Sequence, residues 1–520
     1  MTAIPRLVIA APSSGHGKTA IAVGLLAALA GRGLSVTGFK IGPDYVDAGY
    51  LGLASGRPGR NLDPRLQDVD RVAPLFVHGA ADSDIAVIEG TMGLYDGLSG
   101  RADVESTAQV AGLLKAPVVL VVDVGAMGQS VAALVHGFRA FDELLWLGGV
   151  VLTRVVSDRH EQILRESLDE IGVPVLGVVR RNHLAALPSR TLGVAPIVDR
   201  TTDAVRAVRR LGAVLASSMD LDRVVALARS APELAAKPWS AADEIAAAGN
   251  ARLRADATRV LAAPAASPHP VSPATGPHPV SPAAAPLNPP SGAHPIVPAG
   301  GGAETTKVVT KPDPAETDPP ADRPVIAVAG GATFRYLYAE NAELLTAAGA
   351  EVVPFDPLRD EELPEGTCGL VFGGAFPEVY ADELSANEPL CRAVSDLAIS
   401  GAPIVAESAG LLWLVKEFDG RPMCGVLNAT ATTTNQLVLG YRDAIARASS
   451  PLVRLGATVV GHKAHRTVVQ PRSGDNAAWQ WRGAPPEGFV WRKLHASYLN
   501  LHWAGYPEIA KRLLTAVRMP

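Results

Sequence analysis

The sequence predicts two α/β domains joined by a disordered linker, the first a parallel sheet with helices on both faces. Three observations carry this. Short β-branched runs alternate with Ala- and Leu-rich stretches on both sides of a central break. The first such run opens into a glycine-rich loop that ends in Lys18-Thr19. Between 262 and 322 the composition changes to Pro, Ala and Ser, and Pro268-His269-Pro270-Val271-Ser272-Pro273-Ala274 recurs as Pro277-His278-Pro279-Val280-Ser281-Pro282-Ala283. The expected boundaries are 1–261, 262–322 and 323–520.

In the first domain the clearest strands are Leu7–Ala11, Ala86–Glu89, Val118–Asp123, Gly148–Thr153 and Val175–Val179, the last entered through Pro174. Near-continuous apolar runs of this length fit a sheet covered on both faces. After the linker the pattern restarts with Val325–Ala329, Glu351–Phe355, Leu370–Phe372 and Ile404–Ala406. Thr458–Gly461 and Phe489–Lys493 read as antiparallel or edge strands.

Length and composition bound the function. A chain of 520 residues is too long for one core. With 48% hydrophobic and 19% charged residues it reads as a soluble globular protein. The net charge of −5 and the lack of a dense basic run argue against a nucleic-acid partner. Cys368, Cys391 and Cys424 are an odd set with no metal or disulfide spacing, which fits a reducing cytoplasm. The N-terminal apolar run is too short for a secretory signal, and no stretch is apolar enough to span a membrane.

The loop Pro12-Ser13-Ser14-Gly15-His16-Gly17-Lys18-Thr19 lies between a strand and an Ala/Leu helix. Glycines let backbone N–H groups turn toward an anion, and the helix N-terminus adds partial positive charge. Ser14, Gly15, Gly17, Lys18, Thr19 and Ala20 are therefore the expected ATP-binding set, with Lys18 on the outer phosphates and the Thr19 hydroxyl on Mg²⁺. Pro12 stands where the strict pattern has its first glycine. Glu89 ends an apolar strand, so it faces the ligand crevice of an open sheet. Asp44 and Asp47 lie just past the second strand. Thr19, Asp44 and Glu89 are the expected Mg²⁺ ligands, and Lys40, Arg57 and Arg60 are candidate partners for anionic groups.

In the second domain, Ala402-Pro403-Ile404-Val405-Ala406-Glu407-Ser408-Ala409-Gly410 reads as a buried strand entering a tight turn and a helix. That geometry presents the middle residue, Ser408, as a nucleophile.

Several segments resemble the cobyrinic acid a,c-diamide synthase family, which includes the hydrogenobyrinic acid enzymes. In the first domain these are Phe39-Lys40-Ile41-Gly42-Pro43-Asp44-Tyr45-Val46-Asp47, Asn61-Leu62-Asp63-Pro64, Ile88-Glu89-Gly90-Thr91-Met92-Gly93-Leu94-Tyr95-Asp96-Gly97 and Ser106-Thr107-Ala108. In the second they are Gly373-Gly374-Ala375-Phe376-Pro377-Glu378, Leu439-Gly440-Tyr441-Arg442 and Ala496-Ser497-Tyr498-Leu499. The resemblance implies a dethiobiotin-synthetase-like domain that phosphorylates a carboxylate with ATP and Mg²⁺. It also implies a class I glutaminase-like domain that supplies ammonia to the acyl phosphate. The implied substrate is a corrinoid-like polycarboxylate, and a homodimer is an allowed assembly. Lys18, Lys40, Asp44 and Glu89 carry the implied chemistry, and Tyr45, Asp47, Arg57, Arg60, Tyr95, Ser106 and Arg190 the implied acceptor contacts.

Three departures fall on the ammonia generator. Ser408 stands where the family has cysteine, Asn500 where it has the histidine base, and Lys463 where it usually has glutamate. A thiol ionises near pH ~8.5, whereas a serine hydroxyl needs a strong base and an amide cannot serve as one. Losing a nucleophile or its base typically costs on the order of 10⁶ in turnover. The expectation is that glutamine hydrolysis is lost and that ammonia is free or comes from a separate glutaminase. A rescue to weigh is a Ser408–His502 pair, since His502 lies two residues past Asn500; His495 is also near in sequence. Milder departures are Thr153-Arg154 and Arg180-Arg181, where the family usually has asparagine-arginine and proline-arginine. Two other readings stay open: a divergent ligase for another amine and acid, and a non-catalytic paralogue that partners an active synthase.

Overall fold

The computed structural model describes residues 3–97, 105–181, 201–248, 323–331, 333–334, 337–374 and 378–518. The expected linker and Arg190 lie outside the described residues.

The front half follows a strand–helix alternation. Its elements are β1 (Arg6–Ala10), α1 (Lys18–Gly31), β2 (Val36–Ile41), α2 (Tyr45–Ser55), β3 (Arg60–Leu62), α3 (Pro64–Gln67), α4 (Val69–Gly79), β4 (Ile85–Glu89), α5 (Thr107–Leu113), β5 (Val118–Asp123), α6 (Ser130–Phe141), β6 (Leu147–Val155), α7 (Asp158–Glu170), β7 (Val175–Arg180), α8 (Thr201–Ser218), α9 (Leu221–Arg229) and α10 (Ala241–Ala248). The sheet order is β3-β2-β4-β1-β5-β6-β7, with every pairing parallel. Every residue of β1, β2 and β4 is buried, as a sheet covered on both faces requires. Because the strands are parallel, the ends of β1, β2 and β4 share one edge, and the phosphate loop, the 42–44 turn and Glu89 meet there.

The rear half continues with β8 (Val325–Ala329), α11 (Ala339–Ala347), β9 (Glu351–Phe355), β10 (Thr367–Phe372), α12 (Ala381–Ala386), α13 (Glu388–Ser400), β11 (Ile404–Glu407), α14 (Gly410–Leu414), β12 (Val415–Phe418), β13 (Arg421–Pro422), β14 (Leu427–Ala446), β15 (Thr458–Gln470), β16 (Trp479–Gln480), β17 (Phe489–Trp491), β18 (Leu494–Ser497) and α15 (Glu508–Arg518). One sheet runs β17-β18-β11-β10-β8-β9, parallel except for β17. A second, β13-β12-β14-β15, is dominated by the long antiparallel β14–β15 pair. Thr458–Gly461 is the start of β15, and Phe489 opens the antiparallel β17, as the sequence suggested. The 20-residue β14 was not anticipated: its Thr-rich stretch alternates buried and exposed residues without the apolar run that marks a central strand.

The two halves form one compact unit. A contiguous apolar core takes in Val72 and Phe76 from the front and Leu344, Leu501 and Trp503 from the rear. Polar pairs flank it. Arg60 reaches Glu340 at 2.6 Å and Glu343 at 2.5 Å, His78 meets Glu343 at 2.9 Å, and Tyr441 donates to Asp63 at 2.6 Å. Burial works to raise the Glu343 carboxyl, but His78 and Arg60 hold it down at about 2. A Cβ on Gly505 would lie 2.1 Å from the Leu66 carbonyl oxygen, so only glycine permits this approach of rear to front.

Candidate active site

The phosphate loop turns on Gly15 (φ 92°) and Gly17 (φ 97°), left-handed positions that favour glycine. Gly17 is the N-cap of α1 and has no side chain to cap the first amides, so these stay available to an anion. Lys18 folds back onto the carbonyls of Ser13 (3.0 Å) and Met92 (2.5 Å). Burial pushes its ammonium down to about 8, Lys40 adding to the drop against Glu89, Asp47 and Asp96. Ser14 is exposed on the loop and Ala20 lies in the first turn of α1. His16 accepts from the Asp123 amide at 2.8 Å, and its carbonyl accepts from Thr153 at 3.1 Å, so Thr153 braces the loop.

Beside the loop is a buried cluster. Lys40 Nζ lies 2.8 Å from both Asp47 and Glu89, and all three side chains are at most 7% exposed. Thr19 donates to Glu89 Oε1 at 2.5 Å and reaches Asp47 at 3.4 Å. Two carboxylates share one ammonium here. Burial by itself lowers the Lys40 pKa, but Glu89 and Asp47 outweigh it and the pKa rises. Burial and the neighbouring Asp47 raise the Glu89 carboxyl to about 7, against Lys40 and Thr19.

Other expected site residues have different partners. Asp44 caps α2, its Oδ1 accepting from the amides of Val46 (2.8 Å) and Asp47 (3.1 Å), and it is Asp47 that reaches Glu89's ammonium partner. Arg57 is tied to Ser83 and Ala81, before β4 begins and thus at the opposite end of that strand from Glu89. Arg60 clamps α11 of the rear half. Tyr95 donates to the Phe138 carbonyl at 2.7 Å and packs on Phe138 and Phe141. Ser106 caps α5 through the Gln109 amide at 3.1 Å. Tyr45 donates its hydroxyl to Asn500 Oδ1 in the rear half. Arg57, Arg60, Tyr95, Ser106 and Tyr45, expected as acceptor contacts, each bond a polar group of the fold, and Asp44, expected on Mg²⁺, serves as an N-cap.

Mg²⁺ favours hard oxygen donors and is commonly shared with phosphates. Thr19 and Glu89 supply a hydroxyl and a carboxylate, and Glu89 Oε2 is buried without a hydrogen-bond partner, so the donor set fits that ion. Among the described residues no group of His, Cys, Asp and Glu could hold a metal unaided. Sequence reasoning missed Asp96, whose carboxylate takes the Gly93 amide at 2.8 Å, although it lies within a segment singled out above.

The rear elbow forms as expected. β11 ends at Glu407, Ser408 adopts φ 53°, and α14 follows. A Cβ on Gly410 would sit 2.6 Å from Phe372 Cβ, which accounts for the small residue there. β18 runs parallel to β11 with Ser497 opposite Glu407, so the 498–500 segment leaves the sheet at the same edge as Ser408. Asn500 is fixed by paired backbone bonds to His462, 2.9 Å each way. His502, the alternative partner for Ser408, instead lies 2.7 Å from Gln67 of the front half and packs against Tyr338, ring centres 3.9 Å apart and planes tilted by 32°. Burial lowers its pKa to about 4. His465 meets the Thr467 carbonyl and stacks on Tyr498, and His495 bonds Ser450. Among the described residues no imidazole hydrogen-bonds Ser408. No helix among them is long and apolar enough to cross a membrane.

Comparison with known proteins agrees with this layout. Residues 7–194 match the CobQ/CobB/MinD/ParA nucleotide binding domain, and residues 325–507 the CobB/CobQ-like glutamine amidotransferase domain. The chain is 51% identical to a hydrogenobyrinate a,c-diamide synthase of Streptomyces coelicolor, over 99% of this chain and 98% of the relative. It is 44% identical to one of Thermobifida fusca, over 99% and 97%. A cobyrinate a,c-diamide synthase of Synechococcus is 34% identical, over 98% of each.

Proposed function

The chain belongs to the hydrogenobyrinate and cobyrinate a,c-diamide synthase family, and from that premise we propose that it amidates two corrinoid carboxylates with ATP, using free or externally supplied ammonia rather than glutamine. The hydrogenobyrinate form is the favoured acceptor, because the hydrogenobyrinate relatives reach 51% and 44% identity and the cobyrinate relative 34%.

The chemistry follows from the front cluster. A carboxylate is a poor electrophile, and its conversion to an acyl phosphate supplies a leaving group. An acceptor oxygen attacks the γ-phosphorus and ADP departs; ammonia then adds to the acyl carbon, loses a proton, and phosphate leaves. Lys18 and the α1 N-terminus hold the phosphates, and Lys40 offsets charge on the transferring group. Thr19 and Glu89 would hold Mg²⁺, which screens phosphate charge when bound.

The observation that carries the nitrogen-donor reading is Asn500. Its amide oxygen accepts a bond from Tyr45, and an amide cannot take and return the proton that a Ser408 attack would require. The test is turnover with ATP, Mg²⁺ and hydrogenobyrinate, supplied with ammonium or with glutamine. Diamide, ADP and phosphate should appear with ammonium and be absent with glutamine. Full-rate amidation with glutamine, accompanied by glutamate release, would refute the donor assignment.

A further inference from the structure

The rear half keeps Asn500 under tight control. Its backbone bonds His462 in both directions and the residue is 3% exposed. Its side-chain oxygen accepts a bond from outside the rear half, from the Tyr45 hydroxyl. Tyr45 is the first residue of α2, and its ring packs at 5.1 Å on that of Tyr338. Two residues on, Asp47 joins Lys40 and Thr19 in the nucleotide cleft. This hydrogen bond thus ties to the rear half the start of the Asp44-capped helix that carries a cleft carboxylate.

We infer that Asn500 is a positioning residue for ATP-driven amidation: through Tyr45 it fixes the N-terminus of α2, and so the placement of Asp47 against Lys40 and Thr19. The chemistry suits the residue. A phenol donates, an amide oxygen accepts, and neither changes protonation near neutral pH. A rear half without glutaminase chemistry thereby retains a task in the front half's reaction. The inference rests on the reading that Asn500 moves no proton in glutamine hydrolysis.

The experiment uses the full chain with ammonium as nitrogen donor, so glutaminase chemistry does not enter the readout. Tyr45→Phe, Asn500→Leu and the double variant are compared with Asn500→Asp, which keeps an acceptor oxygen. Loss of one such bond should lower kcat about tenfold in each of the first two. The double variant should fall by the same tenfold and not by the product, while Asn500→Asp stays within a few-fold of the parent. Multiplying losses, an unchanged kcat in Tyr45→Phe, or an Asn500→Asp as impaired as Asn500→Leu would overturn it. If Asn500→Leu does not fold, the Tyr45→Phe and Asn500→Asp pair decides by the same criteria. Activity with glutamine would refute the donor assignment above and leave this ammonium-driven cycle readable.

Discussion

Lys463 and Glu487 form a buried ion pair, 2.5 Å from Nζ to Oε2, with neither side chain more than 5% exposed. Lys463 also lies 5.0 Å from the Trp481 ring centre and 5.3 Å from that of Tyr498. A lysine at this position is therefore built into the core of the rear half, with its own counter-charge. Lys463→Met should destabilise the protein by about 1–3 kcal/mol, because the buried Glu487 carboxylate loses its short ion pair and keeps only Arg472 at 3.5 Å and Ser497 at 3.4 Å. Lys463→Glu should cost more, since it sets two carboxylates together. Urea unfolding of the variants measures both.

For the nucleotide cleft, Lys18→Ala should weaken ATP binding by about 10–100-fold, the scale of one lost charge-assisted hydrogen bond. The Thr19–Glu89–Lys40–Asp47 cluster does not depend on Lys18 for its contacts, so folding should be retained. Calorimetric titration with ATP checks the affinity, and an unchanged value would remove the phosphate loop from the mechanism.

At the rear elbow, Ser408→Cys alone should release no glutamate from glutamine. The thiol would have the right place in the turn but no base, because Asn500 cannot accept its proton and His502 is committed to Gln67. Mass spectrometry after incubation with glutamine should find no thioester on this variant.

Stability should depend on pH in two opposed ways. Burial lowers His462, His465, His495 and His502 to about 4, 3, 3 and 4. Below their unfolded value of about 6.5 the unfolded chain takes up more protons, so acid favours unfolding. Burial raises Glu89 to about 7 and Glu407 to about 8. These two bind more protons when folded, so their contribution is present below about pH 4.5 and is lost as pH rises through 7 and 8. Between about pH 4.5 and 6.5 these four imidazoles outweigh the two carboxyls, so urea midpoints should fall as the pH drops through that range; above it the loss from Glu89 and Glu407 is opposed by Lys18, whose ammonium burial lowers to about 8.

Much of the fold was legible because it is local. Strands β1, β4 and β5 are uninterrupted apolar runs, and the Gly-Lys-Thr loop follows the first of them. The elbow at Ser408 was readable for the same reason, since its strand, turn and helix are contiguous. Asp44 against Asp47 shows the limit. Both stand beyond a strand, and the distinction depends on where α2 starts: the residue before it is consumed as a cap, leaving the next acid to face Lys40. The N-cap preference for Asp before an apolar helix was the signal available. Arg60, Tyr45 and Gln67 could not be placed from sequence, because their partners Glu340, Asn500 and His502 lie more than 250 residues away.

Gly505 gives the contact between halves a sharp probe. Gly505→Ala would place its Cβ 2.1 Å from the Leu66 oxygen, and backbone must shift to relieve it. A cost of about 1–3 kcal/mol is expected from such overpacking. Ammonium-driven turnover should drop along with the melting temperature, since α3 and the Gln67–His502 bond lie at the same seam.

The shared core and its flanking charges carry a consequence for gene architecture. Because Phe76, Leu344 and Trp503 belong to one buried cluster, a covalent tether is not what holds residues 3–248 against 323–518. Two open reading frames, one for each portion, should yield polypeptides that copurify from a common host as a one-to-one complex.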